Sequence, residues 1–190
     1  MAAGAVESVR AAEPPPAPVL PLRFDAETVS ITIAGDSAQF SGEYRFVRSR
    51  PDSAGTAILF PYPVEPRLGG ARTLSLEARV PGGEWRAIPH EEMPELTGCA
   101  WELPADPGGI LEVRAIYRQA LLARYARYIV STTNRWGHGL SRARFEVHLE
   151  RGERLRRVNF PFRMVSARGQ SFYCYEARDF LPNRDIELEW

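Results

Sequence analysis

The chain has 190 residues, 44% hydrophobic and 25% charged, with 24 basic and 24 acidic side chains and a formal net charge of zero. That length fits one domain and can bury roughly 70% of the surface its unfolded form exposes, so a core needs neither metal nor disulfide. The charge balance excludes a whole-chain footprint for nucleic acid, and no apolar run approaches the ~18–20 residues of a membrane-spanning helix.

Residues 1–21 are rich in alanine and proline and end in PPPAPVLP, which predicts an extended, flexible lead-in. Glu7, Arg10 and Glu13 break up the charged-then-apolar order of a signal peptide. Two readings follow: an intracellular chain, or an exported one whose leader has been replaced by the initiating Met.

From Phe24 the hydrophobic period becomes two. Val29, Ile31 and Ile33 alternate with Thr28, Ser30 and Thr32, the pattern of a half-buried strand. Ala34-Gly35-Asp36-Ser37 has turn chemistry, and Phe40, Tyr44 and Phe46 mark the return arm of a hairpin. Short strands are predicted next at Thr56–Phe60, before Pro61 and Pro63, and at Thr73–Val80, before Pro81-Gly82-Gly83. Glu84–Ile88 would return from that turn. Further strands are read at Cys99–Leu103, Ile110–Tyr117, Ala143–Leu149, Leu155–Phe162, Phe172–Ala177 and Ile186–Trp190. One helix is a candidate, over Arg118–Tyr128, where Leu121, Leu122, Tyr125 and Tyr128 share a helical face, although Tyr128-Ile129-Val130 favours a strand. Together these predict an all-β domain over 22–190, a sandwich of two antiparallel sheets with about ten short strands and at most one short helix.

Chemical motifs are sparse. The pairs Gly69-Gly70, Gly82-Gly83 and Gly108-Gly109 sit beside proline or between strands and open no helix, so they read as turns rather than a phosphate loop. No Gly-x-Ser-x-Gly elbow is present. Cys99 and Cys174 are either the two ends of one bridge or two buried thiols, and each lies in a segment with strand character. His90-Glu91-Glu92 joins an imidazole to two carboxylates, but no second histidine stands at metal-ligand spacing. No cofactor is expected. Glu112, Glu146, Glu187 and Glu189 fall at alternating strand positions and read as a wet sheet face. The arginines from Arg142 to Arg168 form either a basic patch for an anionic partner or one half of cross-strand pairs with acidic neighbours.

The chemically richest stretch is RYARYIVSTTNRWGHGL, Arg124 to Leu140. Asn134-Arg135 and Gly137-His138-Gly139 flank Trp136 with turn chemistry. Tyr128 and Trp136 are large amphipathic rings suited to filling the space between sheets. As a binding site, the same stretch would offer Tyr125, Tyr128 and Trp136 as an aromatic platform, with Arg135 and His138 as polar partners.

Two segments carry a resemblance. The first is Leu22-Arg23-Phe24-Asp25-Ala26-Glu27-Thr28-Val29-Ser30-Ile31, followed by Ala38–Phe46 and the strand ending Phe60-Pro61. The second is Tyr128-Ile129-Val130-Ser131-Thr132, followed by Trp136-Gly137. These resemble uncharacterised bacterial exported proteins with a β-sandwich domain of unknown function. The resemblance implies a periplasmic or extracellular domain and transfers no catalytic residue. The function expected is a non-catalytic binding or structural module acting through sheet faces and loops, with a protein or polysaccharide as partner. The alternative is a carbohydrate-active or hydrolase-like enzyme using loop carboxylates near His90.

Overall fold

The alternation over residues 27–33 belongs to a longer strand, β1, Leu22–Ala34, which returns as β2, Ser37–Arg48. Gly35 in the turn has φ 56°, the left-handed geometry a tight hairpin demands. The structure is a computed structural model and describes residues 22–48, 55–103, 109–167 and 169–190; the lead-in expected over 1–21 lies outside them.

In chain order the other strands are β3 Thr56–Pro61, β4 Leu68–Arg79, β5 Arg86–Ala87, β6 His90–Glu92, β7 Gly98–Leu103, β8 Gly109–Leu121, β9 Tyr125–Tyr128, β10 Arg142–His148, β11 Arg157–Val158, β12 Arg163–Ala167, β13 Gln170–Ala177 and β14 Ile186–Glu189. Two short 3-10 turns, Pro94–Leu96 and Ser131–Trp136, complete the regular structure of the described residues.

The chain is mostly β, but it is not the sandwich of two antiparallel sheets that the sequence predicts. One large sheet runs β12-β13-β10-β1-β2-β8-β4-β5, and two small ones run β11-β14-β9 and β3-β7-β6. The large sheet is mixed, because β1 pairs in parallel with β10, Ala26 opposite Arg142 through Thr32 opposite His148. Parallel neighbours need a long crossover, and here the crossover is all the chain from β2 to β9. Nor are the strands uniformly short: β1, β2, β4 and β8 each have 12 or 13 residues.

Both small sheets pack on one face of the large sheet. Val29, Ile31, Phe40, Tyr44, Val113 and Tyr117 are buried there. Phe60 of β3 meets Tyr44 and Tyr117 edge-on, with centroids 5.6 and 5.8 Å apart. Tyr128 of β9 stacks on Phe40 at 5.9 Å and meets Phe145 of β10 at 6.1 Å. Thr28, Glu43 and Arg45 face the other way and are exposed. There are thus two layers, and the second is split.

The helix predicted over Arg118–Tyr128 is absent. β8 continues to Leu121, and β9 begins at Tyr125. Tyr117, Gln119 and Leu121 are buried at period two while Leu122 is 69% exposed. Backbone pairing of β8 with both β2 and β4 outweighs the weak helical periodicity, as tertiary context usually does.

Candidate functional site

The stretch Arg124–Leu140 divides into β9, the 3-10 turn Ser131–Trp136 and a left-handed stop at Gly137, φ 70°. Asp185, just before β14, holds it together. Its Oδ1 accepts the backbone N–H groups of Val130 at 3.1 Å and Ser131 at 3.0 Å. Its Oδ2 accepts Nε and Nη2 of Arg127 at 3.0 and 2.6 Å. Burial pushes the Asp185 carboxyl up, but the hydrogen bonds from Ser131 and the Arg127 guanidinium override it and hold it below the usual range.

The five candidate binding residues do not form one platform. Tyr125 is 2% exposed; its hydroxyl donates to Glu65 at 2.9 Å, and the Arg67 guanidinium covers its ring. His138 has Nδ1 2.9 Å from the Gly139 carbonyl oxygen. Neither Tyr125 nor His138 lines the cleft that Tyr128, Arg135 and Trp136 share. Tyr128 is 3% exposed and lies deep in that cleft. Trp136 is half-buried at its edge, 5.9 Å from both Phe24 and Phe46, and Arg135 is exposed beside it.

This cleft, about 430 Å³, opens where the two small sheets part over the large one. β3 and β7 supply one wall, β9 and the 3-10 turn the other, and β1 with β2 the floor. On the floor sits Glu27, 4% exposed. A β-bulge places it. The register of β1 against β2 steps from Phe24 opposite Phe46 to Ala26 opposite Arg45, and so to Glu27 opposite Tyr44. The extra residue, Asp25, turns an even and an odd position onto one face, so Phe24 and Glu27 both line the cleft. The bulge is secured because the Asp25 carbonyl accepts Ser141 N and Oγ at 2.8 and 3.0 Å, and its carboxylate pairs with Arg23 at 2.7 Å.

A hydrogen-bonded chain runs across the floor. Tyr44 Oη is 3.1 Å from Tyr128 Oη, and the Tyr128 hydroxyl donates to Glu27 Oε2 at 3.3 Å. Gly42 makes room for it: a Cβ there would lie 2.0 Å from Tyr44 Oη, so the ring can fold back over β2 only above a glycine. Glu27 Oε1 and Trp101 Nε1 are buried and have no hydrogen-bond partner among the described residues, and both residues line the cleft. Desolvation pushes the Glu27 carboxyl up to about 8, against the lesser opposing effect of the Tyr128 hydrogen bond. Chiefly through burial, Tyr44, Tyr117 and Tyr128 also lie far above the ordinary phenol value, so they stay neutral.

Reading the stretch alone found three residues of the cleft and missed Glu27, Tyr44, Phe60 and Trp101. One signal was available: Glu27 shares the odd parity of Val29, Ile31 and Ile33, so an acid stands where the strand pattern is buried. The bulge at Asp25 and the approach of β3 and β7 leave no comparable trace.

His90, Glu91 and Glu92 form β6, an exposed edge strand rather than a loop. Glu92 accepts the backbone N–H of Thr73 at 2.6 Å. No group of three or more His, Cys, Asp or Glu that could hold a metal ion occurs among the described residues. Cys99 is buried in β7 and Cys174 half-buried in β13, and they are not bridged. In the arginine-rich segment, Arg142 and Arg144 pair with Glu176, and Arg144 also with Glu146 at 2.6 Å. Arg124 pairs with Glu153. Arg142 and Arg144 thus make the cross-strand and local pairs expected of a solvated face, whereas the exposed Arg151, Arg154, Arg156, Arg157 and Arg163 form no ion pair among the described residues; Arg168 lies outside them.

No protein-family model matches the chain, and no curated protein matches it. Solved structures do. A Legionella pneumophila protein named provisionally for nutrient binding is similar at 13% identity and a TM-score of 0.63, with 88% of this chain covered and 66% of that one. The M1 zinc metallopeptidase of Deinococcus radiodurans is similar at 11% identity and a TM-score of 0.53, covering 88% of this chain and 42% of the enzyme. Yeast LTA4 hydrolase is similar at 9% identity and 0.54, covering 88% and 29%. The chain therefore spans about two thirds of the Legionella protein and under half of the two enzymes. These likenesses establish that the fold recurs and carry no residue-level role.

Proposed function

We propose that the chain is a non-catalytic extracytoplasmic module that binds a small ligand, or one unit of a larger one, in the cleft between its two small sheets. The observation that carries this reading is the cleft's composition: an apolar, aromatic lining with two unpartnered buried polar atoms, Glu27 Oε1 and Trp101 Nε1. A concave, mostly apolar site with a few convergent polar groups is what ligand recognition requires, and a buried polar atom left unpaired costs about 1–3 kcal/mol unless something satisfies it. The name of the Legionella protein supports a binding role, and the exported proteins that the sequence resembles support the location. The hydrolase-like alternative near His90 has less support: His90 and Glu91 border a wider hollow of about 890 Å³, but all three residues are exposed and Glu92 is engaged by Thr73.

The test is a thermal-shift screen of small amines, sugars and amino acids against the wild type and Trp136→Ala. A ligand present at a hundred times its Kd stabilises a folded protein by about 2.7 kcal/mol. Compounds that raise the Tm of the wild type and not of the variant bear the reading out. A screen in which no compound's effect depends on Trp136 sinks it. Turnover of an ester, peptide or glycoside in a separate hydrolysis assay, lost in His90→Ala, would instead establish the enzyme.

A further inference from the structure

Glu27 is a buried acid without a basic partner. No arginine or histidine lies within 4 Å of its carboxyl among the described residues, and the chain contains no lysine. One oxygen takes the Tyr128 hydroxyl and the other takes nothing. Aromatic rings line the same cleft in a connected series. Phe24 lies 6.1 Å from Tyr44, Tyr44 lies 5.6 Å from Phe60, and Phe60 lies 5.7 Å from Trp101. On the other side Phe24 meets Trp136. Ring faces attract cations, and more so when the cation is desolvated. A buried carboxyl needs a charge partner to ionise without a large penalty. Both needs are met by one group.

Resting on the reading of the cleft as a ligand site, we infer that it recognises an ammonium group, with Glu27 as its counter-ion, the aromatic rings as its walls, and an apolar body filling the rest. Trp101 Nε1–H is left to donate to a carbonyl or hydroxyl on that body. The ligand class is thus a small amine with an apolar or aromatic skeleton. Arg135 at the rim is kept from the floor by the depth of Glu27, and it discriminates against a second positive charge on the ligand's outer end.

Binding is coupled to a proton. With its pKa raised to about 8 by burial, the Glu27 carboxyl is largely protonated at neutral pH. When an ammonium docks, the carboxyl O–H bond breaks, the proton leaves to solvent, and a carboxylate–ammonium pair remains. The other groups facing Glu27 do not titrate in this range. Tyr128 of β9, Tyr44 of β2 and Tyr117 of β8 behind it stay neutral; burial raises the Cys99 thiol of β7; Ala143 stands opposite on β10. Affinity for an amine should therefore rise with pH through about 8, until the amine itself loses its proton.

The experiment is isothermal titration calorimetry with 2-phenylethylamine and its neutral counterpart 2-phenylethanol, at pH 6.5 and 8.5, on the wild type, Glu27→Gln and Trp136→Ala. For the wild type the amine should bind at least tenfold more tightly than the alcohol at pH 8.5. Its affinity should fall about 20-fold at pH 6.5, as expected when a group titrating near 8 must first ionise, and buffers of different ionisation enthalpy should report nearly one proton released at that pH. Glu27→Gln should abolish the amine preference and the proton release while retaining alcohol binding, and Trp136→Ala should weaken both probes. Equal binding of the two probes to the wild type overturns the ammonium assignment and leaves the cleft as a site. Binding of neither probe overturns the ammonium assignment, and binding indifferent to Trp136→Ala overturns both.

Discussion

Glu27 is the residue on which most of the chemistry depends, and its environment makes a sign-definite forecast. Its folded-state pKa, about 8, lies above the ordinary 4.5. The folded protein therefore holds a proton that the unfolded chain releases between those values, and stability falls as pH rises through that window. The contribution is intact below about 4.5 and is lost, to the extent of a few kcal/mol, above about 8. Glu27→Gln keeps the shape without the charge. Urea denaturation of this variant should be close to wild type at pH 5 and clearly more stable at pH 8.5; a wild-type midpoint that does not fall across that range contradicts the assignment. Gly42 acts on the same chain of groups. Gly42→Ala drives a methyl into the Tyr44 ring, breaks the Tyr44–Tyr128 contact, and should cost about 1–3 kcal/mol, the usual penalty for overpacking a core. Denaturation at pH 7 checks the cost. A loss below 0.5 kcal/mol would mean that the ring does not lie over Gly42.

Among elements, the segment from β9 to Leu140 owes its shape to a residue more than fifty positions from the groups it holds. The 3-10 turn begins without a side-chain cap of its own, and Asp185 takes that place while also receiving Arg127. Asp185→Ala strips partners from two backbone N–H groups and a guanidinium at once. It should cost about 2–4 kcal/mol, given the penalty for leaving such groups unsatisfied. Because the Asp185 pKa is depressed, its contribution is present above the ordinary carboxylate range and lost as pH falls through and below it. The gap between wild type and Asp185→Asn should accordingly narrow between pH 5 and pH 3, as read by denaturant midpoint. A gap that stays constant over that interval would show that the charge on Asp185 is not what matters. Most strands here were legible from period two and turn residues: β1, β2, β3, β7, β8, β10 and β13 fall where alternation and proline or glycine punctuation put them. β9 was obscured because Leu121, Leu122, Tyr125 and Tyr128 satisfy a helical spacing by coincidence. β6 and β12 were invisible because they are edge strands whose residues are exposed, and an exposed strand has no apolar period to read.

At the scale of the whole molecule, splitting the second layer creates the cleft. Glu27 lines that cleft, almost fully buried and with one carboxylate oxygen unpartnered. Two sheets of three strands cover the rest of the core and leave the seam open above it. The cysteines report on the same arrangement, one in each kind of sheet. Cys99 is 1% exposed beneath the β3-β7-β6 sheet, and Cys174 lies on β13 of the large one. Burial raises both thiols. A thiol reagent at pH 8 should count two thiols in denaturant, and in the native protein one slow reaction at Cys174 with Cys99 protected. A count of zero in denaturant would require a bridge and a different packing of β7 against the large sheet.

The amino-acid sequence by itself determined that this chain is built of strands, because side-chain alternation and turn residues are local properties that a strand must show wherever it ends up. It also marked the Arg124–Leu140 segment, and it carried, unread, an acid at a buried parity. Tertiary structure alone decided that β1 pairs in parallel with β10, that a bulge at Asp25 turns Phe24 and Glu27 to the same side, and that Tyr128 points inward while Trp136 stays at the rim. Each of these depends on which distant strand supplies the neighbouring backbone, and pairing between segments a hundred residues apart is set by the packing of the whole core, not by the local pattern of either one.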